Sequence, residues 1–251
     1  MLSLLINHFK KIVIILIAAA MILSGFVNES TAIDKDYIKY SIIETDVIQH
    51  ADIVIRAGEY IGKPGKRIYI NNQTVHLPDD IPIRNDGDGK GFYVSEADIN
   101  IKTSKAIVSK LKQYGVNVQL QIAENKNQDL NAAGRIANKS NPYMYISIHH
   151  NYYDGNSTGY FAMYNEGDID SERLAARLSD AINNSMVPQR CNQANDGYIG
   201  ELNSVNCDAV LLELGFFSNL EELEIICSDN YVEFVSTRIA NELIKALQNY
   251  K

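Results

Sequence analysis

An α/β fold, with a mixed, largely parallel twisted sheet and helices on both faces, is the architecture this sequence predicts. Three observations lead there. From about residue 51 onward, short apolar runs alternate with longer segments of helical periodicity. The apolar runs are apolar throughout rather than alternating with polar residues, as strands buried on both faces are. The chain has 251 residues, 46% of them hydrophobic and 22% charged, which is enough to build one sizeable core.

The elements follow in order. "ADIVIRA" (51–57) reads as a first strand that ends in the glycine turn Gly58. "SEADINIKTSKAIVSKLKQYG" (95–115) reads as a helix, because Ile99, Ala106, Ile107, Leu111 and Tyr114 recur at helical spacing and Gly115 supplies a stop. "VNVQLQIA" is a strand and "LNAAGRIANKS" a short helix. "YMYISIHH" and "GYFAMYN" are strands, followed by a helix with Leu174, Leu178, Ala181 and Ile182 on one face. "DAVLLELGFF" is an apolar strand, "NLEELEII" a helix, and "NYVEFVSTRIANELIKALQNY" a closing helix. Residues 63–94 break the alternation. They hold three of the five prolines and an Asn-Asp-Gly-Asp-Gly cluster, and so predict a long irregular insertion with one hairpin.

The N-terminus stands apart from this core. Lys10 and Lys11 precede the uncharged stretch 12–27. Its length of about 16 residues is just short of the roughly 17–25 of a spanning helix, so residues 1–32 read as a signal peptide or an N-terminal membrane anchor. Residues 33–50 are then a linker, residues 51–251 the folded domain, and the working compartment is extracytoplasmic. The formal net charge of −8 argues against a nucleic-acid partner. Cys191, Cys207 and Cys227 contain no C-x-x-C pair, so they do not form a cysteine zinc site; they allow either one disulfide or three free thiols.

Ligands of open α/β sheets bind beyond the carboxyl ends of the strands. The polar residues expected there are Glu59, His149, His150 and Glu213, with Glu96 and Asp98 at the start of the long helix. Glu96 and Asp98 also suit the positive end of a helix capped by Ser95. Glu213 is harder to explain as ordinary surface, because it interrupts the apolar run "AVLLELGFF" and a buried carboxylate is costly unless paired or metal-bound. Two carboxylates, a histidine and a buried glutamate at one sheet edge form a donor set for a zinc hydrolase.

The motifs "SEADINI" (95–101), "AAGRIAN" (132–138), "SIHHN" (147–151) and "LELGFFSNLEE" (212–222) occur in this order. With them the chain resembles the zinc-dependent N-acetylmuramoyl-L-alanine amidases, from about residue 52 to the C-terminus. The resemblance implies the zinc-amidase, phosphorylase/hydrolase-like fold, peptidoglycan as substrate and Zn2+ as cofactor, and it extends to sporulation-type members. It implies that Glu96 and His149 are zinc ligands and that Glu213 takes a proton from the attacking water. His150 falls at a variable position and receives no role.

One motif departs from the family. Where members carry Asp-x-Gly-His, this chain has Arg56-Ala57-Gly58-Glu59. Glu59 thus stands in the first-ligand place, and glutamate oxygen does bind zinc. Two carboxylates and one imidazole leave a divalent ion with no net charge, one unit less than the family set. Three expectations follow: Glu59 ligates zinc and is held by Arg56; or the site has decayed and the two residues are a simple ion pair; or His76 folds back as the replacement ligand. The rivals to a peptidoglycan amidase are a non-catalytic module that grips peptidoglycan or a partner protein, and a different amide hydrolase on the same scaffold.

Overall fold

The computed structural model describes residues 50–60, 66–71, 73–87, 89–123, 130–183 and 185–250. The expected signal or anchor and residues 33–49 of the linker lie outside these. Among the described residues, no helix is long and apolar enough to cross a membrane.

Nine strands and six α-helices are used below. They are β1 (Ile53–Tyr60), β2 (Arg67–Tyr69), β3 (Arg84–Asn85), β4 (Phe92–Ser95), α1 (Glu96–Gln113), β5 (Val118–Ala123), α2 (Leu130–Ala137), β6 (Met144–Asn151), β7 (Phe161–Asn165), α3 (Ile169–Ala181), β8 (Gln193–Asn195), α4 (Gly200–Asn203), β9 (Asp208–Phe216), α5 (Leu220–Cys227) and α6 (Asp229–Leu247). Six strands form one sheet in the order β5-β1-β6-β9-β7-β8. The first four are parallel, while β7 runs antiparallel to β9 and carries β8 parallel to itself. The sheet is therefore mixed and largely parallel, as expected.

Its two faces are unequal. Ile53, Ile55, Ile146, Ile148, Leu212 and Leu214 pack into the larger core with Ile99 and Ile107 of α1, Leu174 and Leu178 of α3 and Ile239 and Leu243 of α6. Val54, Tyr145 and Leu211 point the other way, into a smaller core with Ala137 of α2 and Leu202 of α4. Helices cover both faces, but the second cover is thin.

Four details differ from expectation. The first strand does not end at Gly58 but runs on to Tyr60, with a register shift after Ala57. The insertion holds a three-stranded antiparallel sheet, β2-β4-β3, rather than a single hairpin. Tyr114 leaves the buried face: α1 stops at Gln113, Gly115 takes φ +74, and the ring is exposed. The three cysteines are free thiols, so the expected alternative of one disulfide does not hold.

Candidate active site

Strand parity puts the chemistry on the thinly covered face. In β6, Met144, Ile146 and Ile148 enter the larger core while Tyr145 enters the smaller one, and Ser147 and His149 follow Tyr145 by period-two alternation. In β9, Glu213 follows Ala209 and Leu211, and in β1, Arg56 follows Val54. The registers align these residues across three adjacent strands: Arg56 pairs with Ser147, and His149 with Glu213.

The end of β1 is built to turn one side chain. Its pairing with β5 shifts register between Ala57 and Tyr60, and Glu59 sits at φ 62, in the left-handed region that a glutamate rarely adopts. A bulge of this kind re-aims a side chain at the cost of local strain. Gly58 lies directly under the His149 ring, and a Cβ there would collide with the imidazole carbons and Nε2. Ser95 caps α1 by accepting from Ala97 N at 3.2 Å, which fixes Glu96, the first helical residue, beside the strand ends.

Glu59, Glu96 and His149 each offer a ligand atom, and these atoms all lie within 4.8 Å of one another. Nδ1 of His149 stands 3.1 Å from Glu96 Oε1. Asn100, one turn further along α1, donates to Glu96 Oε1 and to the Gly58 carbonyl, both at 3.1 Å, and so ties the two acidic segments together. His150 points to the opposite face, where its Nδ1 meets Asn100 Oδ1 at 2.7 Å. Asp98 is not part of the cluster, because Arg84 binds it in a bidentate pair at 2.7 and 2.9 Å.

A fourth carboxylate completes the arrangement. Glu201, on the short helix α4, accepts from or faces His149 Nε2 at 3.1 Å, and it accepts from Tyr145 Oη at 2.9 Å and Ser147 Oγ at 3.0 Å. Arg56 Nε lies 2.9 Å from Glu201 Oε2, the oxygen that also takes Tyr145 and Ser147, as an ion pair with both side chains almost fully buried. The "AAGRIAN" helix holds α4 in place. Gly134 permits backbone contact with Glu201 O and Ser204, where a Cβ would clash. Asn138 clamps the turn beyond α4, donating to Ser204 O at 2.8 Å and accepting from Asn206 N at 2.9 Å.

The electrostatics follow from burial against pairing. Burial opposes charge on Glu201, but the His149 hydrogen bond and the Arg56 charge overcome it and bring the carboxyl down to about 2. Burial likewise opposes a charged His149, yet its bonds to Glu201 and Glu96 raise the imidazole well above its ordinary value. Glu213 lacks such pairing: burial pushes it up to about 7, the His149 charge offsets part of this, and the Glu96 carboxylate adds to it. Burial and the Glu96 charge also raise Glu59.

The donor set fits a divalent metal. Glu213 Oε2 is buried with no hydrogen-bond partner among the described residues, and Glu96 Oε2 has none either, with only the half-exposed Lys66 ammonium 3.7 Å away, a costly state that a bound cation or its water would relieve. Two carboxylates and an imidazole within ligand range are ordinary zinc donors.

Two expectations need correction. Arg56 makes its ion pair with Glu201 at 2.9 Å rather than with Glu59, whose charge reaches it only at electrostatic range. His76 is not a replacement ligand: it is exposed, and its backbone N donates to Glu224 at 2.6 Å. Glu201 was missed because the four residues "GELN" are too few to carry a periodicity. The available signal was Arg56, a buried cation in an apolar strand that demands a carboxylate on its own face.

A family model described as N-acetylmuramoyl-L-alanine amidase matches residues 84–245. The chain is 27% identical over 157 residues to the uncharacterized protein YqiI of Bacillus subtilis (strain 168), covering 61% of this chain and 74% of that one. Among solved structures it is similar to an N-acetylmuramoyl-L-alanine amidase from Clostridium difficile 630, with TM-score 0.60, 20% identity, and coverage of 81% of this chain and 100% of that one. It is equally similar to the CwlD amidase from Clostridioides difficile in complex with the GerS lipoprotein, with TM-score 0.60, 20% identity, and coverage of 80% and 100%. The catalytic domain of CwlV from Bacillus (Paenibacillus) polymyxa var. colistinus gives 0.59 and 20%, with coverage of 78% and 97%. The structural likenesses bear on the fold.

Proposed function

The chain belongs to the N-acetylmuramoyl-L-alanine amidase family, and from that premise we propose that it hydrolyses the muramoyl–L-alanine amide of peptidoglycan through a zinc site of Glu59, Glu96 and His149. Glu213 is the proton carrier. The observation that carries this reading is the convergence of the three donor side chains within 4.8 Å, with Glu213 in register beside His149. The family substrate and the apolar stretch 12–27 behind Lys10 and Lys11 support an extracytoplasmic site of action.

When bound, zinc supplies Lewis acidity that makes water a nucleophile near neutral pH and polarises a carbonyl. The remaining steps belong to the protein. Glu213 accepts a proton from the water as its oxygen adds to the amide carbon. A carboxyl poised near 7 can then release that proton to the departing nitrogen as the C–N bond breaks. The products are a carboxylate on the muramic lactyl group and a free L-alanine amine. His149 presents Nδ1 to the metal side and donates its Nε2 proton to Glu201, which fixes the ring and its tautomer.

The test is digestion of purified peptidoglycan by the purified protein with zinc present. New L-alanine amino termini are expected, and Glu213→Gln should abolish them while keeping the metal. Binding to the wall without any new termini would sink the enzyme reading in favour of a gripping module.

A further inference from the structure

We propose that Lys66 is a further catalytic residue of this site. It is a mobile cation that neutralises the carboxylates while the metal is out and receives the scissile carbonyl oxygen when the metal is in. The inference rests on the zinc-site reading above.

Geometry motivates it. Lys66 Nζ stands 3.7 Å from Glu96 Oε2, the oxygen that no hydrogen bond satisfies. Glu96 is fully buried there, whereas the Lys66 side chain is 43% exposed, so the ammonium lies at the open mouth of the cluster. It also faces Glu213 and Glu59 at electrostatic range. Its backbone is anchored beside the cluster: Lys66 O accepts from Glu96 N at 3.3 Å, and the next residue, Arg67, pairs with Ser95. The stem thus springs from the insertion sheet directly beside the candidate ligand, and four rotatable bonds let the tip move.

Charge gives the second argument. Arg56 is committed to its ion pair with the buried Glu201 and reaches Glu59 only at electrostatic range. A divalent ion held by two carboxylates and a neutral imidazole carries no net charge, so it stabilises a developing oxyanion less than a site with one carboxylate. Lys66 returns one positive unit, on the solvent side from which an amide must approach. As the water oxygen adds to the carbonyl carbon, the carbonyl π electrons move onto oxygen, and an ammonium N–H donates to that oxygen. On collapse the electrons return to carbon–oxygen bonding, and Lys66 ends with the proton count it began with.

The proposal makes two predictions of opposite sign for Lys66→Ala. Removing a cation that competes for Glu96 should tighten zinc binding on the order of tenfold, measured by competition with a chromophoric chelator. Removing an oxyanion donor should lower kcat by about 10²-fold with little change in KM. Lys66→Arg should keep wild-type zinc affinity, because it keeps the charge. A merely structural lysine would not tighten zinc binding. Zinc affinity that is unchanged or weaker in Lys66→Ala, or unchanged kcat, overturns the inference even where wild type binds zinc and cleaves. A wild type that binds no zinc removes the site reading itself and the inference with it.

Discussion

Gly58 and His149 are in such close approach that a single methyl group on Gly58 would occupy the space of the imidazole. The ring rests on the strand backbone, so its position is set by the absence of a side chain and not by a hydrogen bond alone. Gly58→Ala should therefore tilt His149 away from both Glu96 and Glu201. Overpacking of this kind costs about 1–3 kcal/mol. A lowered melting temperature together with zinc affinity reduced beyond that of a surface control checks it. Wild-type zinc binding in Gly58→Ala would show that the ring does not need this seat.

Glu201 should act on the metal through His149. Glu201→Gln keeps the shape but weakens the acceptor for Nε2–H, and losses of such outer partners are typically ~10–100-fold in metal affinity. The same carboxyl contributes to acid stability. Its folded value of about 2 lies below the ordinary 4.5, so protons bind the unfolded chain preferentially. The stabilisation is complete above about pH 4.5 and is lost as pH falls toward 2. Melting curves between pH 3 and 7 should thus be flatter for Glu201→Gln than for wild type. An equal slope for both would remove Glu201 from the acid-sensitive set.

Arg56 needs Glu201 as much as Glu201 needs Arg56. Arg56 and Glu59 stand where the family carries the Asp and His of Asp-x-Gly-His, which suggests a pair, but Arg56 makes its close contact with Glu201 instead. Most of the fold was legible, since uninterrupted apolar strands and 3.6-residue periodicities dictate it. Glu213 and His149 were legible too, as polar residues in strands that had every reason to be apolar. Glu201 was not, because the four residues of α4 carry no periodicity and its role depends on a tertiary clamp from Gly134 and Asn138. The bulge at Glu59 was hidden for a related reason: it is a register shift between two strands, invisible in either alone.

Glu213 should set the alkaline rise of activity. Burial raises its pKa in the metal-free protein, and only the unprotonated form accepts a proton from water, so the rate should climb with pH as Glu213 ionises. Glu213→Gln should bind zinc as wild type does and lose amide cleavage by about 10²–10⁴-fold. A pH–rate profile and a zinc titration on the same preparations check both halves. Retained cleavage in Glu213→Gln would assign the proton transfer elsewhere.

Glu59 offers the sharpest separation of stability from function. Its φ of 62 lies where side chains with a Cβ are strained, at roughly 1–2 kcal/mol per residue. Burial and the neighbouring Glu96 charge disfavour its ionised form as well. A residue kept there for packing would be a poor choice on both counts. Glu59→Gly should relieve the backbone and the repulsion together and raise the melting temperature of the metal-free protein. Zinc affinity should fall at the same time. Glu59→His should do better than wild type in zinc binding, because histidine tolerates positive φ more readily than glutamate and replaces a carboxylate that repels Glu96. The added change Arg56→Asp should then be harmful, since it would bury a second carboxylate against Glu201 in place of the ion pair. Melting and zinc titration across Glu59→Gly, Glu59→His and the Arg56→Asp/Glu59→His double variant distinguish these effects. If Glu59→Gly kept wild-type zinc affinity, Glu59 would be a strained residue with no metal to hold, and the ligand set would reduce to Glu96 and His149.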